Sequence, residues 1–396
     1  MGSSTHLCAR VALYEQSVGN YPMARSSSRR RRFGVAALFA VLLVSSAACS
    51  SGSNTTTQSS GTPASGSSSA PAGITVSSKM ESLTVAIPTR AAGTSSDVPV
   101  AIVKGFFKAH HLDVTLLDGL GSNVANVVTS GQADIGYLSD AGPLTIAQKG
   151  KDTTIIRALH GGGVAANLAA GPNIKSLDDL RAKQGCKIGS LPAPSLTFGD
   201  ASLILKALNL KNCELRTFAD PPSEAGALVA GNVDAAVSSY QVFQSALDAG
   251  KVHLLIDTTK PQDLAKLGNS LHYVEVVYFG LSGTITSKKS AVVKFLAGID
   301  DAINYLKSTS PADVAAVLHS YPSYAAKSID QITRDVRTSV PFFDVGSDHG
   351  VISETAWTTA LDRMKSWGLE GYDPSAEVNS YAKRVDMSYE RQAQAK

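Results

Sequence analysis

SGQADI, residues Ser130–Ile135, returns a hundred residues later as AGNVDA, residues Ala230–Ala235. In both, a glycine closes a short helical pattern and an aspartate opens an apolar run, as when a helix ends on a left-handed residue before a buried strand. The surrounding elements repeat in the same order. The first unit reads as strand Ser82–Ile87, helix Val98–His110, strand Leu112–Leu117, helix Asn123–Thr129 and strand Ala133–Leu138, with Asp97 as the first helix's N-cap and Pro99 in its first turn. The second reads as strand Cys186–Ser190, helix Phe198–Leu208, strand Cys213–Phe218, helix Ser223–Ala230 and strand Asp234–Ser238. Alternating strand and helix predicts a mainly parallel sheet flanked by helices. Its repetition predicts an α/β fold of two similar lobes, with Asp134 and Asp234 as structural residues at strand entrances.

Beyond the strand Val252–Asp257, the run His272–Gly280 reads as a strand returning to the first lobe. Helical patterns follow at Ala291–Leu306, Pro311–His319, Ser328–Ser339 and Ser353–Trp367. Lobe 1 is therefore expected over residues 80–168, lobe 2 over 169–260, and the return with extra C-terminal helices over 261–396. Hinges are expected near residues 165–175 and 255–275.

Ahead of the lobes stands RRRRFG (Arg29–Gly34), then the apolar core VAALFAVLLV (Val35–Val44) and SSAAC (Ser45–Cys49). A basic head, a short apolar core and small residues before a cut make an export leader. The core is far short of the roughly 20 apolar residues a membrane span needs. The first 22 residues add a polar extension that a leader does not require, so translation from Met23 is expected, and Cys8 is given no role. The chain's formal charge of +3 becomes −2 once residues 1–48 are removed, so its basicity belongs to the leader and does not point to nucleic acid. Residues 50–78 are nearly all Ser, Thr, Gly, Ala and Pro, a composition that cannot bury enough apolar surface to offset chain entropy and so reads as a tether.

The small-small-Cys ending resembles the lipobox of bacterial lipoproteins, although Ser46 stands where Leu is usual. That resemblance implies a lipid on Cys49, which would become the first residue of residues 49–79, the anchor and tether. The alternative is an ordinary secretory cleavage site. The ordered set KGFFKAHHLDVTLL (Lys104–Leu117), SGQADIGYLSDAGPLTIAQKGKDTTIIRAL (Ser130–Leu159), IKSLDDLRAKQGCKIGS (Ile174–Ser190) and LVAGNVDAAV (Leu228–Val237) resembles the substrate-binding proteins of ABC importers for sulfonates, nitrate, taurine and thiamine-pyrimidine precursors. The resemblance covers about residues 82–310. It implies the type II periplasmic binding fold, a small polar organic ligand held between the lobes, permease and ATPase subunits as partners, and residence on the extracytoplasmic face of the cell membrane. It implies no cofactor. An enzyme on the same fold, acting on a small heteroaromatic or sulfonate-like compound, is the alternative. No nucleophile elbow, zinc spacing or acid pair supports catalysis, so no catalytic or metal-ligating residue is assigned.

In parallel α/β sheets, ligands meet the loops at the carboxyl ends of strands, where helix N-termini point N–H groups outward. That rule selects Thr89, Arg90, Ser96 and Asp97 in the first loop, Gly121 and Ser122 in the second, and Ser139 and Asp140 in the third. In lobe 2 it selects Ser195, Thr197, Phe198, Ser239 and Tyr240. His160, ahead of Gly161–Gly163, completes the set. If Asp97 or Asp140 faces the cleft, the ligand offers a cation or N–H donors rather than a bare sulfonate, whereas Arg90 suits a carboxylate or sulfonate. Tyr137, Phe198 and Tyr240 are placed to stack on a planar ligand. His110, His111, His253 and His319 are read as surface or isolated residues. Cys186 and Cys213 open two strands that flank one helix. Neighbouring strands lie about 4.8 Å apart, within disulfide reach, and an oxidising compartment favours a bridge; two buried free thiols are the alternative.

Overall fold

The computed structural model describes residues 73–395, apart from 164–165, 194, 269–272, 367–371 and 374, together with all but the side chain of Ser122. The leader, Cys49 and most of the tether lie outside the described residues. In chain order the first elements are β1 (Glu81–Ala86), α1 (Asp97–Lys104), α2 (Phe106–Ala109), β2 (Leu112–Leu117), α3 (Val124–Thr129), β3 (Ile135–Ser139), α4 (Ala141–Gln148) and β4 (Thr153–Gly161). Then come β5 (Asn167–Ala170), α5 (Leu177–Ala182), β6 (Cys186–Ser190), α6 (Leu196–Ala207), β7 (Cys213–Thr217), α7 (Pro221–Val229), β8 (Ala235–Ser238), α8 (Tyr240–Asp248), β9 (His253–Ile256) and α9 (Pro261–Leu267). The chain returns through β10 (Val274–Leu281), α10 (Ser282–Ser287) and α11 (Lys289–Ser308). It ends with α12 (Pro311–His319), α13 (Ile329–Ser339), α14 (Glu354–Ser366), α15 (Tyr381–Arg384) and α16 (Ser388–Gln394).

Two five-stranded sheets result, ordered β2-β1-β3-β10-β4 and β7-β6-β8-β5-β9. In each, one strand runs antiparallel to both neighbours: β10 between β3 and β4, and β5 between β8 and β9. The α/β lobes are thus mainly parallel with one reversed strand apiece. That strand is where the chain enters lobe 2 and where it re-enters lobe 1. β5 was not read from the sequence, because four residues, Asn-Leu-Ala-Ala, carry too little β-branched or aromatic signal to stand out.

The echoed aspartates act as expected of strand entrances. The Asp134 carboxylate accepts from the Thr84 N–H at 2.9 Å and from Lys288 Nζ at 2.8 Å. In lobe 2, Asp234 accepts from the Lys187 N–H at 2.9 Å and pairs with Lys183 Nζ at 2.8 Å. Each ties the start of one strand to its parallel neighbour, β3 to β1 in lobe 1 and β8 to β6 in lobe 2. The helix expected over Val98–His110 is instead broken at Gly105, whose φ of 74° ends α1 in a left-handed cap. Ser96, not Asp97, holds its N-cap position.

The lobe 1 core forms where α11 crosses the sheet. Phe107 stacks on Phe295 at 5.5 Å, and Tyr278 meets the Phe295 edge at 5.1 Å. Gly298 makes this approach possible, since a Cβ there would stand 2.4 Å from the Phe107 ring. The C-terminal helices dock through Arg157 on β4, which is 1% exposed and pairs with Asp300, Asp344 and Glu390.

In lobe 2, β6 and β7 are parallel with Cys186 directly opposite Cys213, and the two are disulfide-bonded with Cα atoms 4.3 Å apart. Mapping after alkylation without reductant should find neither cysteine labelled. Reduction, or Cys213→Ala, should lower stability by about 3 kcal/mol, the loop-closure value for a bridge of this span. Two labelled thiols at these positions would refute the bridge.

Candidate functional site

The carboxyl end of β3 and the loop ahead of α6 bring two helix N-termini together across the lobes. Asp140 caps α4 by accepting from the Ala141 N–H at 3.0 Å, and Ser195 caps α6 by accepting from the Phe198 N–H at 3.3 Å. Between them lies a narrow pocket of about 190 Å³ lined by Ser139, Asp140, Ala141, Ser195, Leu196, Glu275 and Arg363. The pocket is narrow, and the lobes touch around it through the Tyr273–Asp200 and Gln241–Ser339 hydrogen bonds. A larger surface hollow of about 300 Å³, at the opposite end of the lobe 2 strands near Gly171 and Asp234, gathers only the Lys183–Asp234 pair as charged groups. It brings no further chemistry together.

The pocket floor is densely charged. Arg363 Nη2 pairs with Asp140 Oδ2 at 2.6 Å, Nη1 donates to the Val274 carbonyl at 3.1 Å, and the guanidinium lies 3.5 Å above the Tyr273 ring. The Tyr273 hydroxyl donates to Asp200 Oδ1 at 2.6 Å and lies 3.2 Å from Glu275 Oε1. Asp200 Oδ2 and Glu275 Oε2 are buried with no hydrogen-bond partner. Burial pushes Asp140 up to about 6 against the pull of Arg363. It also pushes Asp200 up to about 6, while Glu275, raised by burial and by the Asp200 charge, lies well above the usual carboxyl range.

Of the residues selected from sequence, the pocket brings together Ser139, Asp140 and Ser195. Thr197 Oγ1 sits beside it, accepting from the Leu191 N–H at 3.1 Å, and Phe198 is half-buried in the first turn of α6. Ser239 and Tyr240 begin α8 at the end of β8, both half-buried. The first loop is otherwise engaged. Thr89 bonds Ser95 at 2.9 Å, exposed Arg90 pairs with Asp118 at 2.9 Å, and the Ser96 hydroxyl donates to the Gly93 carbonyl. Asp97 is buried, accepts from the Tyr278 hydroxyl and is pushed up to about 6 by burial. Gly121 donates its N–H to the Pro88 carbonyl at 2.8 Å; the side chain of Ser122 lies outside the described residues.

His160 Nε2 bonds the Thr94 carbonyl at 2.8 Å, and its ring packs 4.2 Å from Phe343. Burial pushes it down to about 4, so it is neutral at physiological pH and belongs to the lobe 1 wall. Tyr137 donates to the same carbonyl at 3.0 Å.

The sequence reading missed Asp200, Tyr273, Glu275 and Arg363. A signal existed for two of them. Glu275 interrupts an otherwise apolar strand, VEVVYFGL, and Asp200 interrupts an apolar helix, LTFGDASLILKA; buried acids are seldom placed in such runs without a purpose. Also missed was Gln241, whose amide donates across the lobes to the Ser339 hydroxyl at 3.0 Å and the Thr338 hydroxyl at 3.2 Å. The C-terminal end of α13 lies so close over the first loop that a Cβ on Gly93 would stand 2.2 Å from Ser339 Oγ. Among the described residues, no group of three or more His, Cys, Asp or Glu is arranged to hold a metal ion, and no helix is long and apolar enough to cross a membrane.

Glu224, in the first turn of α7, is another buried acid with neither oxygen in a well-formed hydrogen bond. Burial pushes it up to about 8 from 4.5, partly offset by the nearby Ser238 hydroxyl. Because the folded value lies above the unfolded one, this carboxyl favours the fold below about pH 4.5, and the benefit is lost as pH rises toward 8. Glu224→Gln should therefore flatten the decline and stabilise the protein at pH 8 by roughly 2–4 kcal/mol. Chemical denaturation of both forms at several pH values checks this, and parallel curves would count against it.

The chain was compared with known proteins. A family model described as NMT1/THI5 like matches residues 95–311. A Bordetella bronchiseptica RB50 protein of known structure is similar with a TM-score of 0.59 at 19% identity, over 79% of this chain and 97% of that one. The alkanesulfonate-binding protein SsuA from Xanthomonas axonopodis pv. citri, bound to MOPS, has a TM-score of 0.56 at 15% identity, covering 74% of this chain and 95% of its own. The periplasmic nitrate-binding protein NrtA from Synechocystis PCC 6803 has a TM-score of 0.56 at 12% identity, covering 80% and 89% respectively. No curated protein matches the sequence significantly. With a family match spanning more than half the chain and both lobes, and with two sheets each carrying one reversed strand, the chain belongs to the NMT1/THI5-like family and has the two-lobed periplasmic-binding-protein fold.

Proposed function

We propose that the protein is an extracytoplasmic solute-binding lipoprotein that captures a small polar organic molecule between its lobes and delivers it to an ABC permease and ATPase. One observation carries the reading. Two capped helix N-termini, one from each lobe, converge on a pocket floored by buried charge. Solved structures of the same fold include proteins named for binding sulfonates and nitrate. The role we assign is binding rather than catalysis.

Ser139, Asp140 and Ser195 form the centre of the proposed contact set, with Thr197, Phe198, Ser239 and Tyr240 as the lobe 2 rim and Thr89, Arg90, Ser96, Gly121 and Ser122 as the lobe 1 rim. A ligand enters as the lobes part about the hinges near residues 165–175 and 255–275, of which 165 and 269–272 lie outside the described residues. Closure then shields the ligand because both lobes satisfy it only when shut.

Mass spectrometry of the purified protein should find a small molecule retained under native conditions and released on denaturation. Small-angle scattering should show compaction when the stripped protein is resupplied with it. No retained solute and no compaction would overturn the binding role.

The anchor has its own test. Cys49→Ala should release the protein from membranes or leave it unprocessed, as fractionation and intact mass would show. Normal processing with continued membrane attachment would remove Cys49 from the proposal.

A further inference from the structure

We infer that the captured solute carries a protonated amine or amidine, whose N–H groups meet the Glu275 carboxyl with Asp200 behind it. This rests on the solute-binding reading and narrows it to one chemical class.

The charged groups lining the pocket, Asp140, Glu275 and Arg363, and those directly behind them, Tyr273 and Asp200, can be taken element by element. Asp140 comes from the start of α4, Glu275 from β10, Tyr273 from just before β10, Asp200 from α6 and Arg363 from α14. Asp140 and Arg363 neutralise one another at 2.6 Å. The guanidinium is further committed to the Val274 carbonyl and to the Tyr273 ring. An oxyanion would have to compete with all three contacts.

That leaves two carboxyl groups, Asp200 and Glu275, 0% and 1% exposed, joined through one tyrosine hydroxyl. Each still has one buried oxygen without a partner, Oδ2 of Asp200 and Oε2 of Glu275. Buried polar atoms are nearly always satisfied; here the two carboxyls can satisfy each other only by sharing a proton, and a donor arriving from the pocket can take that proton's place. A ligand N–H group bearing positive charge supplies both the donor and the counter-charge.

The helix N-termini argue the other way, since each presents about half a positive charge. Their first-turn N–H groups are partly used by Asp140 and Ser195. Two half-charges and one guanidinium do not outweigh three carboxylates once these ionise. Glu275, raised well above the usual carboxyl range by burial and by the Asp200 charge, is the acid that holds a proton until a cation displaces it. A cation takes the place of a proton, so its affinity must rise with pH, whereas an anion's would fall.

The test uses the full chain, with benzamidinium as cationic probe and ethanesulfonate as anionic probe, each titrated calorimetrically at about pH 5.5 and about pH 7.5 in buffers of differing ionisation enthalpy. Benzamidinium should bind, about tenfold more tightly at the higher pH, with proton release. Glu275→Gln, nearly isosteric, should lose at least tenfold of that affinity, whereas Glu214→Gln on exposed β7 should lose none.

Several outcomes would overturn the assignment: no benzamidinium binding into the millimolar range, binding by ethanesulfonate instead, or undiminished binding by Glu275→Gln. Should that variant fail to fold, the sign of proton exchange in the unaltered chain decides, and proton uptake refutes the cation site. A solute that co-purifies and proves anionic would overturn this inference while leaving solute capture standing. Absence of any bound solute or probe would remove both.

Discussion

Strand β10 is the member on which the rest of the molecule depends. It enters lobe 1 against the direction of its neighbours and supplies hydrogen bonds to β3 on one side and β4 on the other. Without it, β4 would have no partner in its sheet. Along its length it also distributes the chemistry of the interior. Tyr278 donates to Asp97 at the start of α1, and Glu275 reaches the pocket. Just ahead of it, Tyr273 spans to Asp200 in lobe 2. A single buried strand therefore sets the lobe 1 sheet and the charge at the lobe boundary together.

Burying that charge is costly, and the structure shows two ways of handling it. Around Arg157 the carboxylates of Asp300, Asp344 and Glu390 close on one guanidinium, with Lys307 adding a second cation to Asp344. This arrangement holds the C-terminal helices to β4, and breaking it from one side would leave unpaired buried charge at a cost of about 3–5 kcal/mol. The cluster at the pocket is different, because its lone guanidinium is matched by Asp140 and the remaining acids are left to share a tyrosine hydroxyl.

The lobes touch through a small number of specific contacts. Leu196 at the start of α6 packs on Phe342, which follows α13, and Gln241 of α8 bonds the C-terminal end of α13. Besides the Tyr273–Asp200 bond, lobe 2 thus touches the C-terminal helices, and the end of α13 rests on the first loop of lobe 1.

The sequence by itself determined the two-lobed α/β plan, because strand and helix periods are local and the echo at Asp134 and Asp234 repeats the same local grammar. It also placed Cys186 and Cys213 within bridging reach, since a helix between two parallel strands leaves their starts side by side, but left two free thiols open; the structure shows the bridge. At the candidate site, Ser139, Asp140 and Ser195, which line the pocket, were legible as strand-end and helix-start residues. Asp97 and His160 occupy equally suggestive positions, yet Tyr278 and the Thr94 carbonyl claim them for the lobe 1 wall. Only the tertiary structure decided that residues 140, 200, 273, 275 and 363 meet. Their convergence depends on β10 returning between β3 and β4 and on α14 folding back over it. Nothing in local periodicity encodes that long-range register, because the charge balance of a pocket belongs to the space between elements rather than to any one of them.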